Sequence, residues 1–201
     1  MTETKIKLCG MMCPEDVKNA SGLNPDYIGV ILSKGFKRSV DPNELPKFRE
    51  VLGEGIPLVG VFVDEPVNYI TYISHMGLID VIQLHGKESD EDVLRVKNLT
   101  KKPVIKAFKI TSKEDVKKAE SSHADMVLLD AGTGTGELFD WELIKDVKRD
   151  YILAGGLDSN NVINAISSLH PYGVDVSSGI ETDGKKDMAK MVEFVRKGRQ
   201  V

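Results

Sequence analysis

No apolar run in this chain comes near the roughly 18 consecutive positions of a membrane-crossing helix, so no membrane span is expected. Cysteine is scarce, with only Cys9 and Cys13. A bridge between them would close a very small loop and add little stability, and the cysteine density of a small secreted scaffold is missing. Met1 to Lys7 is polar and charged, without the apolar segment of a secretory leader. A reducing cytoplasm is the expected setting. A basic block is also lacking, and the formal net charge is -4. That argues against a duplex nucleic-acid partner, which calls for a Lys/Arg footprint. It leaves anion binding open, because backbone N–H groups hold anions without net positive charge. No His/Cys/Asp/Glu cluster has metal-ligand spacing, and neither metal nor cofactor is expected.

What is present suits one globular domain. The 201 residues can bury one sizeable core but are few for two, and 41% hydrophobic content is too high for disorder. Short apolar runs, bounded by Gly, Pro, Asp or Ser, recur at Ile6–Cys9, Tyr27–Leu32, Leu58–Val63, Val81–His85, Val104–Phe108, Met126–Asp130, Tyr151–Ala154 and Val174–Ser177. Several are apolar at consecutive positions, as parallel strands buried on both faces would be. Helical spacing fills the gaps: Pro14–Ala20, Pro42–Leu52, Pro66–Met76, Ser89–Leu99, Ser112–Ala119, Trp141–Val147, Asp158–Leu169 and Asp187–Val195. Eight strands alternating with eight helices predict a parallel α/β architecture, either an open doubly wound sheet or a closed (β/α)8 barrel.

Position favours the barrel. Cys9-Gly10, Lys37-Arg38, Asp64, Gln83-His85-Gly86, Lys106, Asp130, Gly155-Gly156 and Ser177-Ser178-Gly179 all stand at or just beyond C-terminal strand ends, which a (β/α)8 barrel gathers into one mouth. Gly155-Gly156 and Ser178-Gly179 follow the last two strands, where close-approaching backbone would hold a phosphate; paired glycines also make plain tight turns. Cys9 is either a small buried hydrophobe or a base, and Lys7, on the same strand face, would ease thiolate formation. Asp130 reads as a loop cap or as a catalytic carboxyl kept protonated by burial, across the mouth from Cys9. Arg38 is a carboxylate clamp or a solvated charge, and His85 a substrate contact or a structural histidine. Asp175, inside the last strand, reads as a buried support for the mouth. His75, His123 and His170 look structural.

Lys7-Leu8-Cys9-Gly10, Gln83-Leu84-His85-Gly86, Leu128-Leu129-Asp130, Gly134-Thr135-Gly136 with Phe139-Asp140-Trp141, Ala154-Gly155-Gly156-Leu157 and Asp175-Val176-Ser177-Ser178-Gly179-Ile180-Glu181 form an ordered set. It closely resembles the phosphoribosylanthranilate isomerases over essentially the whole chain. The resemblance implies an Amadori rearrangement in tryptophan biosynthesis, converting N-(5-phosphoribosyl)anthranilate to 1-(2-carboxyphenylamino)-1-deoxyribulose 5-phosphate without cofactor or metal. By the same likeness, Asp130 protonates the ring oxygen, Cys9 removes the C2 proton and Arg38 holds the anthranilate carboxylate. Lys7, Gln83, His85 and Asp175 would surround the substrate, and the two glycine turns would take its phosphate. Met11-Met12-Cys13 departs from the family's more polar usage, and the loop from Asp130 to Phe139 is short. A histidine-pathway isomerase, which carries aspartate where Cys9 stands, and a non-catalytic phosphometabolite-binding barrel are the alternatives. Monomer and homodimer both suit a barrel of this length.

Overall fold

Parallel strands that are apolar on both faces need cover on each side, and a closed ring ringed by helices supplies it without leaving a sheet edge. The protein, a computed structural model describing residues 3–131 and 141–201, adopts this solution. Its barrel strands are β1 (Lys5–Leu8), β2 (Tyr27–Ile31), β3 (Leu58–Phe62), β4 (Val81–Leu84), β5 (Val104–Lys109), β6 (Met126–Asp130), β7 (Tyr151–Ala154) and β8 (Gly173–Val176). They pair in parallel in sequence order, and β8 pairs with β1 to close the ring. Helices α1 (Pro14–Ser21), α2 (Leu45–Val51), α3 (Val67–His75), α4 (Asp90–Thr100), α5 (Lys113–Ser121), α6 (Val162–Leu169) and α7 (Met188–Gly198) pack outside. This is the (β/α)8 barrel.

Local chemistry sets the helix starts. Pro14, Glu15 and Asp16 occupy the first turn of α1, where a missing N–H is harmless and acids meet the positive end of the helix dipole. Ser89 and Asp92 cap each other's backbone at α4, and Ser112 accepts from Asp115 N at α5. Three expected helices come out differently. Trp141–Val147 is only a 3₁₀ turn at Trp141–Leu143, with bonds from Ile144 N to Trp141 O and from Val147 N to Ile144 O. So short a segment does not offset the cost of helix nucleation. Asp158–Leu169 starts at Val162, because Asp158 Oδ1 accepts from Asn160 N and Asn161 N and holds those residues in a turn. Pro42–Leu52 divides into a 3₁₀ turn, Pro42–Glu44, and α2. An unanticipated hairpin follows β8, made of β9 (Glu181–Thr182) and β10 (Lys185–Lys186).

Strand alternation splits the core in two. Ile6, Leu8, Val30, Leu84 and Leu129 face the helices. Val59, Val61, Val81, Ile105, Ala107, Leu128, Ile152 and Ala154 fill the barrel. At three inward positions the filling is polar yet buried: Lys7 is 1% exposed, Gln83 0% and Asp175 7%. Gly134, Thr135, Gly136, Phe139 and Asp140, and with them the loop from Asp130 to Phe139, lie outside the described residues. Among the described residues no helix is long and apolar enough to cross a membrane.

Candidate active site

The β1–β8 side of the mouth is built from buried charge. Cys9 stands one inward position above Lys7, and Gly29 on β2 leaves the space both need. A Cβ on Gly29 would lie 2.7 Å from Cys9 Sγ and 3.1 Å from Lys7 Nζ. Lys7 Nζ donates to Asp175 Oδ1 at 2.8 Å. Burial pulls the Lys7 ammonium down, but Asp175 and Cys9 leave it above its ordinary value. Burial pushes the Cys9 thiol up; Lys7 opposes the rise, and the Asp175 carboxylate adds to it. Lys7 therefore favours the thiolate as its position suggested, but desolvation outweighs it and the thiol ends above the usual range.

Arg38 and the hairpin close over the same corner. Arg38 Nε and Nη2 donate to Glu181 Oε1 and Oε2 at 2.5 and 2.9 Å. This fork occupies one edge of the guanidinium, so a second carboxylate would approach along its Nη1 edge. Lys186 Nζ donates to Glu181 Oε1 and to Ser177 O, both at 2.8 Å. Burial pushes the Glu181 carboxyl up, but Arg38 and Lys186 together bring it down to about 2. Gly10 is the crossing point, since a Cβ there would stand 2.7 Å from both Arg38 Cδ and Ser177 Oγ.

The β4–β6 side is more open and less charged. Asp130 closes β6, and its Oδ2 lies 3.3 Å from His85 Nε2. Gln83 Nε2 donates to His85 Nδ1 at 2.9 Å, which puts the neutral ring's proton on Nε2, facing Asp130. His85 and Asp130 are 31% and 30% exposed, whereas Gln83 lies beneath the ring in the barrel. Two residues read as part of the mouth belong elsewhere. Lys106 lies on the outer face of β5, where its Nζ donates to Gly86 O and Glu88 Oε2, each at 2.8 Å. Asp64 accepts from Lys87 N while its own N–H donates to Glu88 Oε1. Together they fasten the loops after β3 and β4.

At the β7–β8 end, Gly155 and Gly156 have φ of 92° and 67°, a region that favours glycine. Ser178–Ile180 form a 3₁₀ turn. Gly179 has no room for a side chain, because a Cβ would lie 2.0 Å from Leu157 O. The two small-residue turns are thus packed against each other.

A closed parallel barrel whose titratable side chains meet at the C-terminal strand ends defines a (β/α)8-barrel enzyme. Family comparison narrows that class, since the model for N-(5'-phosphoribosyl)anthranilate (PRA) isomerase matches residues 6–197. The chain belongs to this family. It is 44% identical to N-(5'-phosphoribosyl)anthranilate isomerase of Caldanaerobacter subterraneus subsp. tengcongensis, over 98% of each chain. Its fold matches phosphoribosyl anthranilate isomerase from Thermotoga maritima with a TM-score of 0.90 and 31% identity, covering 98% of this chain and 100% of the other. It also matches, at a TM-score of 0.87 and 30% identity over 98% and 100%, a phosphoribosyl anthranilate isomerase in complex with reduced 1-(o-carboxyphenylamino)-1-deoxyribulose 5-phosphate.

The residue that sequence reasoning missed is Lys186. Its signal was Asp183-Gly184, with φ of 50° and 77°, the pair that favours a two-residue hairpin turn and brings Lys186 back over the mouth.

Proposed function

We propose that Cys9 and Asp130 share the proton transfers of the family's reaction, the isomerisation of N-(5'-phosphoribosyl)anthranilate in tryptophan biosynthesis. Asp130 delivers a proton to the furanose ring oxygen as the C1–O bond breaks, and the anilino nitrogen lone pair forms the Schiff base. Cys9 then takes the C2 proton, and those electrons flow to nitrogen to give an enolamine that tautomerises to the ketone. His85 holds one oxygen of the acid, and Gln83 holds the histidine. Lys7 and Asp175 support the base from below. Arg38 receives the anthranilate carboxylate beside its pairing with Glu181, while Gly155, Gly156, Ser178 and Gly179 take the phosphate. A free thiol that works as a base has to stay reduced, which suits the cytoplasm.

The observation that carries this reading is the placement of Cys9 and Asp130 at the ends of β1 and β6, both facing into the mouth of one barrel. Steady-state assay of Cys9→Ser and Asp130→Asn tests it. Each is expected to lower kcat by about 10²–10⁴ with the fold retained; near-normal turnover in either variant would overturn the role given to that residue.

A further inference from the structure

Around Cys9 the charges do not balance. Lys7 faces Asp175 from β1 and β8, one cation to one carboxylate at 2.8 Å. Arg38, in the segment after β2, and Lys186 on β10 share the single carboxylate of Glu181 on β9. Among the described residues, three cations thus meet two carboxylates at this corner of the mouth, and the Cys9 thiol beside Gly10 is a group there able to supply the missing negative charge. Asp130 and His85 face it from across the mouth, on β6 and beyond β4.

Lys186 is the cation least well matched. Both oxygens of Glu181 are taken up by the Arg38 fork, and Lys186 reaches only Oε1. Its other contacts are the Ser177 carbonyl at 2.8 Å and a long one to Ser177 Oγ at 3.4 Å. Its side chain is 0% exposed, so solvent does not screen its charge. A Cβ on Gly10, the residue next to Cys9, would lie only 3.4 Å from Lys186 Nζ. The buried ammonium thus stands at van der Waals distance from the Gly10 position, one residue along the chain from the thiol.

We propose that Lys186, carried in by the β9–β10 hairpin, is a positioning residue for the base, acting as the counter-ion of the Cys9 thiolate. The proposal rests on Cys9 being the base, but it is tested on the free enzyme by a measurement that needs no turnover. In a Cys13→Ser background, the rate of Cys9 alkylation by iodoacetamide is followed against pH. Lys186→Met is expected to move the midpoint up by about one pH unit, about tenfold less thiolate at neutral pH, and Lys186→Arg to restore it. Glu181→Gln removes a negative charge instead of a positive one, so it is expected to move the midpoint down. A merely structural role for the hairpin would shift both variants the same way or neither, and either result overturns the proposal. If Lys186→Met does not fold, Glu181→Gln decides alone: a lowered midpoint supports the counter-ion, an unchanged or raised one overturns it. Unchanged alkylation with only a raised KM would assign the surplus charge to the substrate's carboxylate, against the proposal. Full turnover in Cys9→Ser would remove the base reading and leave the titration result standing.

Discussion

The two sides of the mouth solve the same problem in different ways. On the β1–β8 side, the side chains of Lys7, Asp175, Glu181 and Lys186 are buried, and each is paired with a group of opposite type within about 3 Å. On the β4–β6 side, Gln83, His85 and Asp130 form a hydrogen-bonded row in which His85 and Asp130 are half-buried. On the proposed assignment, a largely buried thiol, 5% exposed, calls for a field of fixed charge, whereas a carboxyl that is 30% exposed calls mainly for aiming. The base side should accordingly be costly to disturb for stability, and the acid side costly mainly for chemistry.

Asp175→Asn tests the contrast hardest. It leaves the Lys7 ammonium buried without its partner, and a stability loss of about 3–5 kcal/mol is expected in urea unfolding. The matching change on the other side, Gln83→Leu, removes one side-chain hydrogen bond and should cost about 0.5–1.5 kcal/mol. Equal losses would erase the distinction. Next in size is Gly179→Ala, whose methyl group would collide with Leu157 O and force the β7 and β8 turns apart. A KM raised about tenfold or more with a smaller change in kcat is expected, and an unchanged KM would remove those turns from phosphate binding.

Acid titration probes the base side more gently. Glu181 titrates at about 2 in the fold against an ordinary 4.5, so its pairing with Arg38 and Lys186 contributes in full above about pH 4.5. That contribution is lost as pH falls through the folded value. Wild-type stability should therefore decline between these limits, and Glu181→Gln should flatten the decline when denaturant midpoints are compared across that window.

These contrasts show which parts of the molecule were legible in the sequence. The barrel was readable because apolar runs and capping residues act locally: Met126–Asp130 and Tyr151–Ala154 have the bounds their pattern gives. Cys9 and Asp130 were readable because a strand end fixes where a side chain points. Lys106 shows the limit, since it belongs to the outer face of β5 and its partner Glu88 lies on another loop. Arg38 was visible, but its pairing with Glu181 spans 143 residues and no local pattern encodes it. Lys186 lies between these cases. The Asp-Gly turn announces a hairpin, but only the closed ring shows that the hairpin folds over Cys9.

A modest effect on turnover is expected of His85, and it separates aiming from chemistry on the acid side. On the proposed mechanism the ring donates from Nε2 to Asp130 Oδ2 and leaves proton delivery to the carboxyl. His85→Phe should cost about 1–2 kcal/mol in urea unfolding, since two hydrogen bonds are lost and one of them leaves the buried Gln83 amide unpaired. Its kcat should fall about tenfold, well short of the 10²–10⁴ expected of Asp130→Asn. His85→Gln, which keeps an N–H donor on a side chain of similar reach, should recover part of that loss. If both variants fell as far as Asp130→Asn, the histidine would be handling the proton itself. The β4–β6 side would then be a two-residue acid rather than a carboxyl held in place by its neighbour.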